Sequence, residues 1–555
     1  MSDLWHGALG LVFALAGWTA PRRVAGAEGF TVSTWLDAAP PAFVALVAFV
    51  ACGRPVFAGA VVFALGAGFA FVDRTMRDTL REPIVFSALS ELPQVFTHPQ
   101  LYLPFAGTGL VLGGVAAAIF AGGSLLLAEP ALMAPHPLGA LALFVLVAAL
   151  LRRLGREPWL GGAARALRRL HPTGEPFADA ARLGPVAMLI VHGIVARAER
   201  PLRQARLAPR SAPIRPAGMR PVVLIQCESF FNARRALPTL PRDFLAGYEA
   251  ACDGGAYGRL DVPAWGANTM RAEFASLTGI DDAALGYDRF NPYHALARVP
   301  IRSQVWRLRE AGYRTICLHP FDRRFFRRDL AMPALGFEQF LGRETLGGSR
   351  TPPYQSDPEL AAHILRIIEN SGPRVFIFAI TMGNHGPWLK SHSLPPGLSR
   401  ECTALLANGW PEEGVNAHGL SPWTEGPRVK PGQRIDDISA LIGRHIPQRQ
   451  HLLRYLAGLR QSDVLLRLLI DGLEQRQPHA LLGFYGDHLP SLPRAFSHLG
   501  FDDWRSDYAI WSGAGGVSRR RDLAAHQLGR VLVDCALAPR NRAALDAVVP
   551  EPHDA

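Results

Sequence analysis

The chain has 555 residues, a formal net charge of +11 and 49% hydrophobic residues. Its charge is unevenly distributed: residues 1–150 contain 6 Arg and 8 acidic residues, whereas residues 151–220 contain 14 Arg and 4 acidic residues. Residues 221–555 are close to neutral and have an ordinary globular composition. This distribution excludes a single soluble domain, a disordered chain and a collagen-like fibre. It also argues against a nucleic-acid-binding protein, because the basic excess is confined to one short segment beside an apolar block.

Apolar runs predict a transmembrane anchor of about five helices in residues 1–151. The runs are 4–20, 36–52, 55–72, 101–128 and 134–151. A helix of about 20 apolar residues crosses the hydrocarbon core, and about 17 is the lower limit, so each run can span. Gly53, Arg54 and Pro55 interrupt a longer apolar stretch and predict a tight helical hairpin. The first run has no basic segment before it and is followed by further spans, which favours an anchor over a cleaved signal peptide.

Two sequence features that predict the orientation of this anchor disagree. Five spans that begin in the cytoplasm place the carboxy-terminal domain outside, whereas the positive-inside rule would keep the Arg-rich segment 152–169 in the cytoplasm. A sixth crossing at residues 183–196 would reconcile them, but this segment makes only about 21 Å of helix. We predict a multi-pass membrane protein with its carboxy-terminal domain on the periplasmic or extracellular side.

Residues 152–220 are predicted to form a basic juxtamembrane linker. Within it, residues 183–196 are apolar and flanked by arginines, which predicts a helix lying in the membrane interface. A packed connecting helix is the alternative. The segment from about 197 to 220 is rich in Arg, Pro and Ala, and it is predicted to be extended up to the first buried strand.

Residues 221–538 have the pattern of an α/β domain, and a polar tail follows at 539–555. The predicted strands are 221–227, 313–318, 374–381 and 480–485. The predicted helices lie near 301–311, 358–370 and 449–475. Alternating helices and continuously apolar strands predict a mostly parallel central sheet covered on both faces.

Each predicted strand is followed by residues with catalytic or metal-binding side chains. These residues are Glu228 after the first strand, His319 after the second, His385 after the third, and Asp487 with His488 after the fourth. In parallel sheets, functional groups gather at the carboxyl ends of the strands. Carboxylate and imidazole groups are the ligands that Zn or Mn require. The sequence therefore predicts a divalent metal centre at this edge of the sheet.

Four motifs in this domain resemble those of a known family. They are Glu228-Ser229-Phe230, Gly266-Ala267-Asn268-Thr269 followed by Glu273-Phe274, Thr381-Met382-Gly383-Asn384-His385, and Tyr485-Gly486-Asp487-His488. Their order and spacing are similar to those of the sulfatase-like, alkaline phosphatase superfamily, specifically its membrane-anchored lipoteichoic acid synthase and phosphoglycerol transferase branch. The resemblance runs through most of residues 221–510, and the family's five-helix anchor and linker are similar to residues 1–215. It implies an alkaline-phosphatase-like catalytic domain.

The resemblance implies that Glu228, Thr269, Asp487 and His488 coordinate one divalent metal ion, with Thr269 as the nucleophile. Manganese is the expected ion, and magnesium and zinc are the alternatives. Metal coordination is one way to activate a Thr hydroxyl, which is a poor nucleophile at its free pKa. The alternative for Thr269 is a helix N-cap, because an apolar periodic segment follows it. A nucleophile at a helix amino terminus would use both properties, since backbone N–H groups there favour a phosphate.

The resemblance also implies a substrate pocket. His385 would contact the substrate phosphate or the leaving oxygen, and a His pKa near neutrality suits protonation of an alkoxide. His319 and Arg328 align with substrate-binding positions, where a guanidinium can hold phosphate bidentately. The aromatic residue before this Arg is Phe326, whereas the family has Trp. Trp265 would wall the pocket, or it would be a buried core residue.

The predicted function is metal-dependent transfer of phosphoglycerol from a phospholipid, phosphatidylglycerol, to a cell-envelope glycan or polymer through a phospho-threonine intermediate. None of the six Cys begins the Cys-x-Pro-x-Arg segment of true sulfatases. The alternatives are a phosphoethanolamine transferase acting on lipid A or a glycan, a hydrolase that uses water as acceptor, and a non-catalytic membrane scaffold. Residues 386–448 form a long insertion that is predicted to be a lid or a plain surface loop.

Overall fold

A computed structural model of the chain describes residues 2–209, 219–346, 356–388, 445–513, 515 and 518–538. The chain divides into two compact units. Unit 1 comprises Met1–Arg203 and Gly286–Phe290, and unit 2 comprises Gln204–Leu285 and Asn291–Ala555. Most of the predicted lid, at 389–444, and the predicted tail at 539–555 lie outside the described residues.

Unit 1 is built from helices. They are α1 (Ser2–Ala25), α2 (Val32–Cys52), α3 (Pro55–Leu80), α4 (Leu92–Thr97), α5 (Pro99–Ala106), α6 (Thr108–Ala128), α7 (Pro137–Leu154), α8 (Trp159–Arg168), α9 (Pro176–Leu183) and most of α10 (Pro185–Leu207). Among the described helices, α2, α3, α6 and α7 are long and apolar enough to cross a membrane. The first predicted span corresponds to α1, which has 24 residues. The predicted run 101–128 is interrupted at Gly107, which separates α5 from α6.

The predicted hairpin at Gly53 is confirmed. Helix α2 ends at Cys52, and Gly53 adopts a left-handed conformation with φ of 69°, donating its N–H to the Phe49 carbonyl. Helix α3 then begins at Pro55. Glycine tolerates the left-handed turn, and proline suits the first helical position because that N–H would have no intrahelical partner.

Glycines allow α1 and α3 to pack in direct backbone contact. A Cβ atom on Gly59 would lie 2.0 Å from the Gly10 carbonyl oxygen, and one on Gly66 would lie 1.9 Å from the Gly17 carbonyl oxygen. Any side chain at these positions would therefore push the two helices apart. Small residues that permit such close approach are typical of helix pairs in membranes. This packing makes α1 an integral part of the helical bundle.

A buried carboxylate joins α2 to the start of α10. Asp37 accepts hydrogen bonds from the backbone N–H groups of Val186 and Ala187 at 2.9 and 3.1 Å. Its other oxygen accepts hydrogen bonds from Arg22 and Trp18, each at 3.0 Å. A carboxylate at a helix amino terminus satisfies N–H groups that have no intrahelical partner. Asp37 therefore fixes the point at which α10 begins.

Helix α10 differs from the predicted linker. It extends to Leu207, so the prediction of an extended chain from residue 197 is wrong. Ala, Arg, Gln and Leu favour helix, and Arg200 pairs with the buried carboxylate of Asp288 at 2.8 Å, which holds the later turns in place. Residues 210–218 lie outside the described part of the chain.

The apolar residues of α10 are buried inside unit 1. Ala187, Val191 and Val195 pack with Leu183, and Leu36 of α2 lies against them. This burial corresponds to the packed connecting helix that was the alternative for residues 183–196. A location in the membrane interface stays a prediction.

Unit 2 contains a nine-stranded sheet. Its strands are β1 (Val222–Cys227), β2 (Gly255–Asp261), β3 (Arg314–Leu318), β4 (Gln339–Leu341), β5 (Val375–Ile380), β6 (Leu481–Gly486), β7 (Ser506–Ser512), β8 (Arg519–Arg520) and β9 (Leu523–Ala524). Their order is β4-β3-β5-β1-β6-β7-β2-β8, and β9 also pairs with β2. Strands β4, β3, β5, β1 and β6 are parallel, and β7 is antiparallel to both β6 and β2. The four predicted strands and the mostly parallel sheet are therefore confirmed.

Helices cover both faces of this sheet. They are α11 (Ala246–Asp253), α12 (Thr269–Thr278), α13 (Pro292–Leu296), α14 (Gln304–Glu310), α15 (Arg328–Leu335), α16 (Arg343–Leu346), α17 (Asp357–Ser371), α18 (Arg449–Arg476), α19 (Pro493–His498) and α20 (Ala525–Leu537). Along β1, Val223 and Ile225 belong to one buried cluster, whereas Val222 and Leu224 belong to another. Because successive side chains of a strand point to opposite faces, the two clusters are the two cores of an α/β sandwich.

Candidate metal and phosphoryl-transfer site

The sheet order brings the predicted motifs to one edge. Strand β1 lies between β5 and β6 and runs parallel to both, so the residues after these three strands are neighbours. The Glu228 N–H donates a hydrogen bond to the Thr381 hydroxyl at 3.0 Å. On the other side, the Ser229 N–H donates to Asp487 Oδ1 at 2.8 Å. These backbone-to-side-chain bonds fix the three strand ends relative to one another.

The four predicted metal-binding residues meet at this edge. One ligand atom from each of Glu228, Asp487 and His488 lies within 4.8 Å of the others, and all three residues are buried. His488 Nε2 is 3.3 Å from Asp487 Oδ2 and 3.6 Å from Glu228 Oε1. Thr269 Oγ1 lies 3.4 Å from the same His488 nitrogen. The structure thus places the predicted nucleophile beside the predicted ligands.

The donor set fits a divalent cation. Asp487 Oδ2 is buried and has no hydrogen-bond partner among the described residues, although Asp487 Oδ1 accepts two backbone N–H groups. His488 Nδ1 donates to the Leu489 carbonyl at 2.9 Å, which leaves Nε2 as a bare nitrogen facing the carboxylates. Two carboxylates, an imidazole nitrogen and a hydroxyl suit Zn or Mn.

The electrostatics of Glu228 also favour a bound cation. Burial raises the pKa of Glu228, and the neighbouring Asp487 carboxylate raises it further. Two carboxylates in a buried site repel one another unless a cation or a proton lies between them. A bound cation would allow both to remain ionised.

Thr269 is the first residue of α12. Asn268 occupies the N-cap position with φ of 64°, and its side chain makes no capping hydrogen bond. The Thr269 hydroxyl lies next to His488. The first N–H groups of the helix have no intrahelical acceptor, so they are available to an anion. Thr269 therefore occupies the first helical position, and the N-cap position belongs to Asn268.

Left-handed backbone conformations adjoin the functional residues. Ser229, Asn268, Phe326 and Arg327 have φ values of 55°, 64°, 55° and 57°. They are sequence neighbours of Glu228, Thr269 and Arg328. Such conformations cost about 1–3 kcal/mol each outside glycine and persist only where surrounding contacts impose them. The backbone of the site is therefore held in place by its surroundings.

Gly486 is required by a close backbone approach. A Cβ atom there would lie 1.8 Å from the Phe230 carbonyl oxygen. The Ser506 hydroxyl donates to the Gly486 carbonyl at 2.7 Å and holds the strand end in position. Only glycine lets the turn after β1 and the end of β6 approach closely enough for Asp487 to reach Ser229.

Arg328 and His319 also come together, and the structure adds a third member, Glu273. Arg328 Nη2 donates to Glu273 Oε2 at 2.8 Å, and Arg328 Nη1 lies 3.1 Å from His319 Nε2. All three side chains are buried. Burial and the Arg328 charge both lower the pKa of His319 well below its usual range, so this neutral ring accepts the hydrogen bond at Nε2. Direct contact of Arg328 and His319 with a substrate stays a prediction.

Glu273 belongs to one of the matched motifs, but no role for it is predicted from the sequence. The available signal is its spacing: it follows Thr269 by four residues, and residues four apart lie on the same side of a helix. A carboxylate in a largely buried helix needs a partner, and Arg271, two residues away, does not face it on a helix. The partner, Arg328, is 55 residues away.

His385 shares the electrostatics of this site. Its Nδ1 donates to the Gly386 carbonyl at 2.5 Å, which leaves Nε2 available to exchange a proton. Burial lowers the pKa of His385; the Gly386 carbonyl and Asp487 partly oppose this, and Arg328 lowers the pKa further. The loop that carries His385 is anchored by Asp357, which accepts the Gly383 N–H at 2.9 Å.

Trp265 lies in the core. Its ring is buried and packs edge-to-face against Phe496, with 5.9 Å between the ring centroids. This position corresponds to the alternative prediction, a core Trp. Contact of Trp265 with a substrate stays a prediction. Its large apolar ring is stabilised by removal from water.

Comparison with known proteins identifies the domain that carries this site. Residues 261–528 match the Sulfatase family model. The chain carries a sulfatase-family domain. This sulfatase-family domain includes Thr269, Asp487 and His488, and its assignment confirms the predicted membership of the sulfatase-like, alkaline phosphatase superfamily.

Two curated relatives come from Rhizobium meliloti (strain 1021). The capsular polysaccharide biosynthesis protein RkpI is 28% identical over 496 residues, covering 82% of this chain and 77% of the relative. A putative cyclic beta-1,2-glucan modification protein is 26% identical over 245 residues, covering 44% of this chain and 32% of that protein.

A solved structure resembles the whole chain. The lipooligosaccharide phosphoethanolamine transferase A (EptA) from Neisseria meningitidis, an integral membrane protein, aligns with a TM-score of 0.51 and 13% identity over 97% of each chain. At this identity the likeness concerns the fold. It confirms the predicted fold class, an α-helical membrane part followed by an alkaline-phosphatase-like α/β domain.

Proposed function

We propose that this protein is a metal-dependent phosphoglycerol transferase of the bacterial inner membrane. It moves phosphoglycerol from phosphatidylglycerol to a cell-envelope glycan or polymer. The observation that carries the proposal is the position of Thr269 Oγ1, 3.4 Å from His488 Nε2 within the cluster of Glu228, Asp487 and His488. A nucleophile adjoining a buried set of metal ligands is the arrangement that phosphoryl transfer requires.

The chain's residues supply the ligands and the nucleophile. A divalent ion held by Glu228, Thr269, Asp487 and His488, with manganese expected and magnesium or zinc as alternatives, would lower the pKa of the Thr269 hydroxyl and offset charge on a phosphoryl oxygen. The amino terminus of α12 adds backbone N–H groups that favour a phosphate at the same place.

The reaction proceeds in two displacements at phosphorus. The Thr269 hydroxyl first gives its proton to water. The resulting Thr269 alkoxide forms a bond to the phosphorus of the lipid, and the bond from phosphorus to the diacylglycerol oxygen breaks. The leaving alkoxide takes a proton from His385 Nε2. An acceptor hydroxyl then forms a bond to phosphorus and gives its proton to His385 Nε2, while the bond from phosphorus to Thr269 breaks and the Thr269 alkoxide is restored. Each step conserves the phosphodiester and its single charge.

Two features support the choice of donor and acceptor. The apolar helices α2, α3, α6 and α7 are suited to hold the enzyme at the level of lipid headgroups. The similarity to RkpI, a capsular polysaccharide biosynthesis protein, supports an acceptor that contains sugar. Five crossings would place the catalytic domain outside the cytoplasm, where such polymers are modified.

The test is the intact mass of the full-length protein after incubation with Mn²⁺ and either phosphatidylglycerol or phosphatidylethanolamine. We expect a glycerophosphate adduct on Thr269 and release of diacylglycerol with phosphatidylglycerol. Thr269→Ala should abolish both. Thr278→Ala is the matched control, because Thr278 is a buried Thr of the same helix whose hydroxyl donates only to the Phe274 carbonyl at 2.7 Å.

Each other outcome changes the proposal in a defined way. An ethanolamine-phosphate adduct would keep the mechanism and make the protein a phosphoethanolamine transferase. Free glycerophosphate without transfer would indicate a hydrolase. Turnover that persists in Thr269→Ala would overturn the covalent mechanism, and metal-loaded protein without adduct or diacylglycerol would favour the membrane scaffold.

A further inference from the structure

The carboxylate of Glu273 is not used in the steps above, although it is hydrogen-bonded to Arg328. It follows Thr269 by one turn of α12 and is fully buried. A buried carboxylate is costly unless it is paired and hydrogen-bonded. We propose that Glu273 is a positioning residue that holds the Arg328 guanidinium in the orientation that binds a substrate phosphate. This inference rests on the proposed function for the identity of the substrate.

The pairing of Glu273 with Arg328 occupies one edge of the guanidinium. Arg328 Nε donates to Glu273 Oε1 at 3.1 Å, and Arg328 Nη2 donates to Glu273 Oε2 at 2.8 Å. Arg328 Nη1 donates to His319, and the Phe326 ring centroid lies 5.4 Å from the guanidinium carbon. Three of the five N–H donors of Arg328 are thus used, which leaves one on each terminal nitrogen. Two N–H groups on adjacent nitrogens match the oxygens of a phosphate.

Glu273 is itself held from the metal-binding side of the site. Tyr293 donates its hydroxyl to Glu273 Oε1 at 2.7 Å, and Gln226 Nε2 donates to Glu273 Oε2 at 3.1 Å. Gln226 lies on β1 two residues before Glu228, and its side-chain oxygen accepts the Tyr485 hydroxyl. Tyr485 in turn lies two residues before Asp487 on β6. The strands that supply two metal ligands therefore also fix the carboxylate that orients Arg328.

This connection has a chemical purpose in the proposed reaction. Thr269 and Arg328 must act on the same phosphate, and Glu273 joins the helix that carries the nucleophile directly to the guanidinium. Donors fixed in advance need no reorientation when charge moves in the transition state. Glu273 thus contributes orientation, and two of the five Arg328 donors are left for the phosphate.

The first experiment compares Glu273→Gln with wild type in the metal-loaded, full-length protein. The amide keeps the size of the side chain, but it replaces one acceptor by an NH₂ group that opposes the Arg328 donors. We expect kcat/KM for phosphatidylglycerol to fall about 10- to 100-fold. Asp463→Asn is the matched control, because Asp463 is a buried carboxylate of the same domain that accepts the N–H groups of Gly247 and Tyr248. It should lower the Tm and leave kcat/KM of the folded protein within about 3-fold.

A double-mutant cycle separates positioning from a merely structural role. If Glu273 acts through Arg328, Glu273→Gln changes kcat/KM by less than about 3-fold in the Arg328→Gln background. Losses that multiply in the double variant would overturn the proposal. So would a Glu273→Gln protein with wild-type kcat/KM and a lowered Tm. If Glu273→Gln does not fold, Tyr293→Phe replaces it, with an expected 2- to 5-fold loss, about the effect of one neutral hydrogen bond, and no loss as the contrary result.

A cryo-electron microscopy map of the variants distinguishes failure of this proposal from failure of the proposed function. If wild type turns over neither lipid, the proposed function fails, and the positioning role is judged by cryo-electron microscopy of Glu273→Gln and of Tyr293→Phe. We expect the Arg328 guanidinium to leave its place beside His319 in Glu273→Gln. An unmoved guanidinium would overturn the proposal whatever the substrate is.

Discussion

Two buried carboxylates of unit 1 differ in their hydrogen bonding from one carboxylate at the candidate site of unit 2. In unit 1, Glu129 accepts the N–H groups of Val56 and Phe57 at 2.8 Å each, and both oxygens of Asp37 accept hydrogen bonds. In unit 2, Asp487 keeps one buried oxygen without a hydrogen-bond partner among the described residues. In unit 1, the hydrogen-bonded carboxylates hold helices together. A buried carboxylate oxygen without a hydrogen bond lowers the stability of the folded protein, and such oxygens are found mainly where a ligand binds. The contrast separates structural from functional acids within one chain.

The largest expected effect comes from replacing the unsatisfied acid. Asp487→Asn removes a charged ligand and offers an NH₂ group where a cation would bind, so transfer should fall by 1,000-fold or more, roughly the loss of one strong electrostatic contact in a transition state. Wild type should gain about 2.7 kcal/mol of stability at a Mn²⁺ concentration 100 times the Kd, and the variant should gain almost none. Thermal unfolding with and without Mn²⁺ measures this, together with metal content.

Asp37→Asn replaces a carboxylate whose two oxygens both accept hydrogen bonds, and it is the control for the Asp487→Asn prediction. It leaves the buried Arg22 charge without its carboxylate, so the variant should lose stability by about 3–5 kcal/mol. Its response to Mn²⁺ should match that of wild type. Equal metal responses in Asp487→Asn and wild type would break the distinction between the two kinds of acid.

A second test concerns the backbone contact between α1 and α3 in unit 1. Gly66→Ala should destabilise the anchor by about 1–3 kcal/mol, because the new Cβ would meet the Gly17 carbonyl at 1.9 Å. Gly68→Ala is the matched control on the same helix, since nothing lies within 4 Å of its Cβ position. Thermal unfolding in detergent compares them. Equal losses at both positions would show that the backbone contact is unimportant.

The smallest expected effect is a change of reaction rate with pH, and it depends on how a buried histidine is hydrogen-bonded. In unit 1, His192 pairs with the Asp179 carboxylate at 2.8 Å, whereas His385 in unit 2 has only a backbone carbonyl at Nδ1. Burial lowers the pKa of His385, so the ring is neutral at pH 7 and its Nε2 is unprotonated.

The sign of the pH dependence follows from this proton. In the proposed mechanism, diacylglycerol release uses protonated Nε2, so its rate should rise as pH falls, by up to about tenfold per unit until the His385 pKa is reached. In the same mechanism, breakdown of the phospho-threonine uses the neutral ring and should slow below this pKa. Rapid-quench measurements between pH 5.5 and 7.5 at saturating Mn²⁺ resolve the two steps. A release rate that rises with pH, or a slope unchanged in His385→Gln, would contradict this role.

Much of the fold was predictable because runs of apolar residues in the sequence coincide with the buried strands of the sheet. The continuously apolar segments became β1, β3, β5 and β6, and the residues after three neighbouring strands formed the site. Strand β2, with the sequence GAYGRLD, was missed because it has two glycines and no apolar run, and it is stabilised by pairing with β7. Such strands depend on tertiary contacts rather than on their own residues.

Predictions failed where a distant partner decides the structure. The sequence around residue 197 is rich in Arg and Pro, yet α10 continues because Arg200 pairs with Asp288, 88 residues away. The role of Glu273 depends on Arg328, which no local spacing reveals. Local patterns thus predict elements and strand ends, and partners distant in sequence decide what the side chains do there.

The order of strands in the sheet has a consequence for how the protein matures. Strand β1 pairs with β5 and β6, so Glu228 meets Asp487 only after more than 250 further residues have been synthesised. Pairing between strands so distant in sequence is slow and needs nearly the whole domain. A nascent fragment therefore contains no complete ligand set. Under the proposed function, the ion would be acquired in the compartment where the domain finishes folding, and the metal supply of that compartment would influence which ion the site holds.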